Sequence, residues 1–367
     1  MKLKDICEIN PRTLNIGDDT EVSFIPMPSV SEDGKIDTSD IRTYADVKRG
    51  YTTFKENDVL FAKITPCMEN GKGAVACGLK NGYGCGSSEF HVLRATELVI
   101  PEWLYYLTVR ESFRKEAEKH MTGSAGQRRV PRQYLENYTV NIPPLSQQEQ
   151  QVQILSRLKL TIDHRKEQLK AFDDLIKARF VELFGDPVIN SENLATMPMT
   201  DVCEIIDGDR GKNYPTADEF SDEGYCLFLN AKNVTASGFN FDNCMFVSKE
   251  KDEALRKGKL SRGDVVLTTR GTLGNLAFYT DEIPFENVRI NSGMVILRMK
   301  QDVIDEVYFI EQFKMQLDDI KEKIASGSAQ PQLPISTMNK IQVLIPDIER
   351  QKEFSEFIKQ VDKSKVV

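Results

Sequence analysis

Residues 146–184 read SQQEQQVQILSRLKLTIDHRKEQLKAFDDLIKARFVELF, 39 residues without a glycine or a proline. Proline breaks a helix and glycine weakens one, so this run predicts a single continuous helix. At about 1.5 Å per residue it is roughly 58 Å long. Leu155, Ile162, Leu169, Ile176 and Leu183 recur every seventh residue, and Leu158, Arg165, Phe172 and Arg179 follow three positions behind them. One wholly apolar column beside one interrupted by arginine is the seam of a coiled coil. Gly185-Asp186-Pro187 ends it. A helix this long with so regular a column seeks another helix more readily than a globular surface.

On either side of this helix the chain repeats itself. Gly123-Ser124-Ala125-Gly126-Gln127 returns as Gly327-Ser328-Ala329-Gln330, and Ser88-Glu89-Phe90-His91-Val92-Leu93-Arg94 as Ser292-Gly293-Met294-Val295-Ile296-Leu297-Arg298. Lys4-Asp5-Ile6-Cys7-Glu8-Ile9 is echoed by Thr200-Asp201-Val202-Cys203-Glu204-Ile205, and Asn57-Asp58-Val59-Leu60-Phe61-Ala62 by Gly263-Asp264-Val265-Val266-Leu267-Thr268. The offset of about 200 residues is far beyond the 20–50 of a solenoid repeat, so a whole domain is duplicated. Each copy reads as mixed α and β: strand runs at Asp58–Ala62 and Phe90–Arg94, then a helix opened by Pro101. A second long helix begins near Ile348, with Phe354, Phe357, Ile358 and Val361 on its apolar face. It has only about 20 residues before Val367.

The bulk properties narrow the function classes. Of 367 residues, 40% are hydrophobic and 28% charged, an ordinary globular balance that gives each half its own core. No apolar run nears the roughly 18 residues of a membrane span, and Met1-Lys2-Leu3-Lys4-Asp5 does not open a signal peptide, so the expected location is the cytoplasm. Seven cysteines with no CxxC pair, and His91, His120 and His164 scattered among them, favour reduced thiols over disulfides or a structural metal. There is no GxxxxGK[ST] loop, HExxH or GxSxG, and Ile142-Pro143-Pro144-Leu145 lacks the amide and aromatic that flank Pro-Pro in amino-methyltransferases. The chain reads as a recogniser that carries no chemistry of its own. A net charge of −8 argues against indiscriminate phosphate binding but leaves room for basic loops on an acidic body.

Those loops supply the candidate contacts. Lys63 and Thr65 follow one strand; Thr269, Arg270 and Thr272 follow its counterpart. Lys72, Gln127, Arg128, Arg129, Arg132, Asn275, Gln330 and Gln332 lie in adjoining loops. Arginine forks onto guanine, lysine reaches guanine or phosphate, and asparagine or glutamine pairs with adenine. Any one surface cation is more often simply solvated. The set is persuasive because loops on a rigid scaffold carry binding, and these differ most between the copies.

The whole pattern resembles the specificity subunit of Type I restriction–modification systems. The resemblance rests on Leu3-Lys4-Asp5-Ile6-Cys7-Glu8-Ile9-Asn10, the Asn57–Leu60 strand, the Gly123–Gln127 loop, Ile142-Pro143-Pro144-Leu145-Ser146-Gln147-Gln148-Glu149-Gln150, and Leu183-Phe184-Gly185-Asp186-Pro187. It implies an α+β fold: two globular target recognition domains, at 1–145 and 197–345, separated by long α-helices that form an antiparallel coiled coil with pseudo-two-fold internal repetition. The helices would be 146–185 and a shortened 346–367, with a linker at 186–196, and would act as a ruler between two reading heads on a bipartite, asymmetric double-stranded DNA target. It further implies two partner methyltransferase (modification) subunits that use S-adenosylmethionine on adenine N6, and allows a restriction subunit that uses ATP and Mg. The chain itself would bind no cofactor or metal and would not be an enzyme. Readings as a protein-binding scaffold or a stand-alone DNA-modifying enzyme stay open at this point. The expected helix seam comprises Leu155, Leu158, Ile162, Leu169, Phe172, Ile176, Phe180 and Leu183 against Phe354, Ile358 and Val361. The short second helix should leave Leu169, Phe172, Ile176 and Phe180 as an exposed strip, open to self-association or a partner subunit.

Overall fold

The computed structural model describes residues 1–12, 15–124, 126–325 and 332–365. Its contacts divide the chain into two compact units, Met1–His164 and Arg165–Val367, so the boundary falls within the central helix Leu145–Phe184. Each half of that helix belongs to the unit beside it.

The first unit is built on two four-stranded sheets. One runs Cys7–Ile9, Phe90–Ala95, Val59–Ala62, Gly73–Val75, antiparallel throughout. The other runs Ile41–Thr43, Glu21–Ile25, Tyr83–Gly86, Thr52–Lys55, with a parallel pair at its centre. Val59 to Ala62 are buried without alternation because both faces of this strand are covered. Val59 and Phe61 join the core beneath the helices, while Leu60 and Ala62 join the core between the sheets.

The second unit repeats this frame. Cys203–Asp207, Met294–Met299, Val265–Thr268 and Leu276–Phe278 form the first sheet in the same order. Phe246–Val247, Cys226–Leu229 and Val288–Ile290 form the second, again with a parallel pair. Polar details recur with the strands. Asp58 and Asp264 are each 1% exposed. Arg94 donates Nε and Nη2 to the two oxygens of Asp58 at 2.8 and 2.7 Å, and Arg298 does the same to Asp264 at 2.9 and 2.8 Å. The amides of Lys55 and Ser261 complete the two sites. The thiols of Cys7 and Cys203 donate to the Leu3 and Met199 carbonyls, both 3.4 Å away, and burial pushes each up to about 12.

Buried glutamines dock the helix starts. Gln148 Oε1 accepts from the Ile100 amide and its Nε2 donates to the Leu98 and Pro143 carbonyls. In the second unit Gln351 accepts from the Asp305 amide and donates to the Pro346 carbonyl. Both are fully buried, so each amide must be satisfied by backbone groups, and that requirement fixes the helix to its domain.

The C-terminal helix Ile348–Lys365 packs antiparallel on the second unit's half of the central helix. Arg350 donates to the Leu183 carbonyl at 2.6 Å, Phe354 meets the Phe180 and Phe184 rings, and Lys365 pairs with Asp173 at 2.9 Å. This corrects the expected exposed strip. Phe180 is fully buried, Ile176 is 4% exposed and Phe172 is partly covered; of the four named, only Leu169 stays open, at 37%. Leu155, Leu158 and Ile162, expected in the seam, are exposed as well. The reason is polarity: an antiparallel partner starts beside the end of the central helix and runs back along it, so Ile348–Lys365 covers the stretch from Leu183 back to Asp173. Phe354, Ile358 and Val361 are buried as the seam requires.

Phe180→Ala is therefore expected to destabilise the second unit by about 3–5 kcal/mol, whereas Leu158→Ala changes stability by less than about 1 kcal/mol. Urea unfolding of the two variants measures both; equal losses would contradict the burial pattern.

Candidate nucleic-acid interface

In both units the central strand of the first sheet ends in a backbone junction with a neighbouring turn and a later loop. In the first unit the Lys63 amide donates to the Glu89 carbonyl, and the Val130 amide to the Lys63 carbonyl, both at 2.9 Å. The Thr65 amide donates to the Arg128 carbonyl at 3.0 Å. Lys63, Thr65, Gln127, Arg128 and Arg129 are thus brought together by backbone bonds. Their side chains are less free than the sequence suggests. Arg129 forks onto Glu89, at 2.9 Å from Nε and 2.8 Å from Nη2, and this holds the Glu89 carboxyl below its ordinary range. Arg128 lies 3.5 Å from both Glu69 and Glu118, and Thr65 donates to Glu69. Lys63 Nζ donates to the neutral Ser88 carbonyl at 2.7 Å, and its charge adds to that of Arg129 in holding the Glu89 carboxyl down. Gln127 is exposed. Lys72 is half-buried and donates to the Met27 carbonyl, while Arg132 pairs with Glu136 one turn along its own short helix.

Beneath this loop lies His91, 5% exposed. Its Nε2 is 2.8 Å from the Val130 carbonyl and its Nδ1 is 2.9 Å from the Asn10 side-chain amide. A carbonyl can only accept, so Nε2 carries the proton and Nδ1 accepts from Asn10. The neutral ring ties the Gln127–Val130 loop to the sheet. Burial, with the nearby Lys63 and Arg132 charges adding to it, lowers its pKa to about 4.

The second unit builds the same junction from other side chains. The Thr269 amide donates to the Gly293 carbonyl, the Leu333 amide to the Thr269 carbonyl, and Arg270 bridges Gln332. Lys63 therefore corresponds to Thr269, and Ile64 to Arg270. The cations of the two copies, which the sequence places at matching positions, are one residue out of step. Thr269 is 6% exposed and its hydroxyl is used on Gly293, so it is a framework residue. Thr272 is exposed, and its carbonyl accepts from the Thr268 hydroxyl. Asn275 Nδ2 donates to the Val234 carbonyl at 2.9 Å. Arg270 and Gln332 are exposed, and the Arg270 side chain has no ion pair or hydrogen bond among the described residues. Gln330 and the Gly327–Gln330 motif lie outside the described residues. The loop reading missed Arg210, whose Nη2 donates to Asp207 Oδ1 at 3.1 Å and to the Ser292 carbonyl at 3.3 Å. Gly208-Asp209-Arg210-Gly211-Lys212, turn formers interleaved with cations directly after a strand, was the signal for it.

A family model described as Type I restriction modification DNA specificity domain matches residues 1–171 and 191–366. The chain is 43% identical over 170 residues to the Type I restriction enzyme EcoAI specificity subunit of Escherichia coli, covering 45% of this chain and 28% of that protein. It is 38% identical over 200 residues to the EcoEI specificity subunit of the same organism, covering 53% of this chain and 33% of that one. The matched stretches thus span a third or less of those relatives. Among solved structures, the S subunit of a Type-I restriction-modification system from M. genitalium superposes with a TM-score of 0.55 at 16% identity, covering all of this chain and 89% of that one. That likeness is one of fold.

The His91 geometry carries a pH dependence. The unfolded chain binds a proton at the ring near pH 6.5, and the folded one only near 4. Stability is complete above pH 6.5 and falls as the pH drops towards 4, by about 3 kcal/mol from this one group. His91→Gln removes the titration, so urea midpoints measured between pH 7 and 4.5 are expected to fall less steeply than in the unaltered protein; parallel slopes would refute the assignment.

Proposed function

This chain belongs to the Type I restriction–modification DNA specificity family, and on that premise we propose that each of its two units reads one part of a bipartite, asymmetric DNA target. The observation that carries the reading is the pair of strand-end junctions. One backbone frame presents Lys63, Ile64 and a Glu89-held Arg129 in the first unit, and Thr269, Arg270 and Gln332 opposite Gly293 in the second. A conserved frame carrying different donors is what two heads need in order to read different bases. The duplicated fold supplies the frame, and the loops supply the difference.

In this reading the chain performs no catalysis. It places two modification subunits, which draw on S-adenosylmethionine to methylate adenine N6, and works in the cytoplasm where that DNA lies. The same assembly leaves room for a restriction subunit that uses ATP and Mg.

The test is methylome sequencing of cells that carry this chain with its cognate methyltransferase. The expected result is an adenine-methylated motif split by unread bases; a short uninterrupted motif would overturn the proposal. Arg270→Ala is expected to relax one half of that motif by about 1–3 kcal/mol per lost base contact and to leave the other half intact. Relaxation of both halves, or of neither, would count against Arg270 as a base reader.

A further inference from the structure

The second unit holds a cation cluster outside the loops considered so far, and one buried carboxylate organises it. Asp209 is 7% exposed and accepts from the Gly211 and Arg256 amides, both at 2.7 Å. A single side chain thereby pins the 208–213 segment to the segment that starts at Arg256. The same two segments close on the Asn291–Gly293 turn. A Cβ at Gly208 would stand 2.2 Å from the Asn291 carbonyl oxygen, and one at Gly258 would stand 3.2 Å from the Gly208 Cα. The first approach is open only to glycine and the second is tight for any Cβ, so the two segments and the turn form one packed body.

Three cations project from that body. Arg210, Lys212 and Arg256 are all exposed. Lys212 and Arg256 line a depression of about 240 Å³ together with Asp209, Gly211 and Asn213. Arg210 pairs with Asp207 at 3.1 Å, whereas among the described residues the side chains of Lys212 and Arg256 form no ion pair or hydrogen bond. Other cations of this unit behave differently: Lys251 sits 2.6 Å from Glu219, Lys259 2.6 Å from Asp252 and Lys314 2.6 Å from Glu311. The Asn291–Gly293 turn is flanked on its other side by Thr269, which donates to Gly293, and hence by Arg270.

The first unit gives the cluster its meaning. There the equivalent turn carbonyl, that of Ser88, is held by Lys63 at 2.7 Å. Ser292 is its counterpart at the 204-residue offset fixed by the strand registers, and it is held by Arg210 at 3.3 Å. The positive charge that the first unit places beside this turn from one segment, the second unit supplies from another. Arg210, and not Arg270, is therefore the partner of Lys63.

Resting on the functional reading above, we infer that Arg210, Lys212 and Arg256 form a DNA-phosphate contact cluster of the second unit, with Asp209 as its positioning residue, beside the base-reading Arg270. Three exposed cations this close outnumber the two carboxylates among them, Asp207 beside Arg210 and Asp209 beside Arg256, so the cluster attracts phosphate at any sequence, and phosphate contacts set register without specifying bases.

The experiment uses the full chain assembled with its methyltransferase. Binding is titrated by fluorescence anisotropy on a duplex carrying the mapped site and on a scrambled duplex of equal length, across a salt series. For Lys212→Ala/Arg256→Ala, affinity is expected to drop roughly tenfold on both duplexes, and the slope of log affinity against log salt to flatten by about 2, with the methylated motif unchanged. Lys212→Arg/Arg256→Lys keeps the charge and should retain the slope, which separates lost contacts from misfolding. Asp209→Asn should produce part of the flattening although all three cations remain. If the unaltered complex binds with a steep salt slope and the double alanine variant keeps that slope, this cluster is wrong and the functional reading stands. If the unaltered complex shows no salt-dependent binding to either duplex, both fall.

Discussion

The register between the central strand and its neighbour is the constraint on which the rest depends. In the first unit Val59–Ala62 pairs with Phe90–Ala95; in the second Val265–Thr268 pairs with Met294–Met299. A slip of one residue would turn every side chain to the other face and move the strand-end junction. A carboxylate with 1% exposure stands at the head of each strand, and its bidentate arginine stands on the neighbour. The fork geometry of guanidinium on carboxylate is satisfied in one register only. Burying such a pair adds little net stability over an apolar pair, but a broken one leaves an uncompensated charge, so misregistered states are penalised.

From that register the site follows. Once the strand ends are fixed, the Lys63–Glu89 and Thr269–Gly293 backbone bonds follow, and with them the later loops that bridge back at Arg129 and Gln332. Backbone bonds carry the conserved part of the site and leave the side chains to vary. The variation is electrostatic. Glu89 neutralises Arg129 in one copy, whereas Gly293 leaves Gln332 and Arg270 unopposed in the other.

The helices obey a different logic. Gln148 and Gln351 attach each helix start to its own domain through backbone groups. Beyond that attachment the seam is a matter of apolar burial, and it is complete only where a partner runs alongside. Phe180 and Phe184 between Tyr308 and Phe354 form its aromatic cluster. Polar residues interrupt the column at Arg165 and Arg179, and both stay hydrogen-bonded at the helix surface.

Periodicity and repetition determined the architecture from the sequence alone. A glycine-free heptad run makes a long helix wherever it is placed, and two copies of one pattern make two copies of one sheet frame. The candidate loops were also legible, because they follow strand signals directly. Three things were not. The covered half of the central helix depends on the direction of its partner, which no local pattern encodes. The one-residue mismatch between Lys63 and Arg270 depends on where each strand stops pairing. The Arg210–Arg256 cluster joins segments more than 40 residues apart through Asp209, a carboxylate whose sequence neighbours give no hint that it binds the Arg256 amide. Local chemistry is written in the order of residues; which charges are cancelled, and which are left facing outward, is decided only when distant backbone segments meet and the low-dielectric interior forces each buried polar group to find a mate.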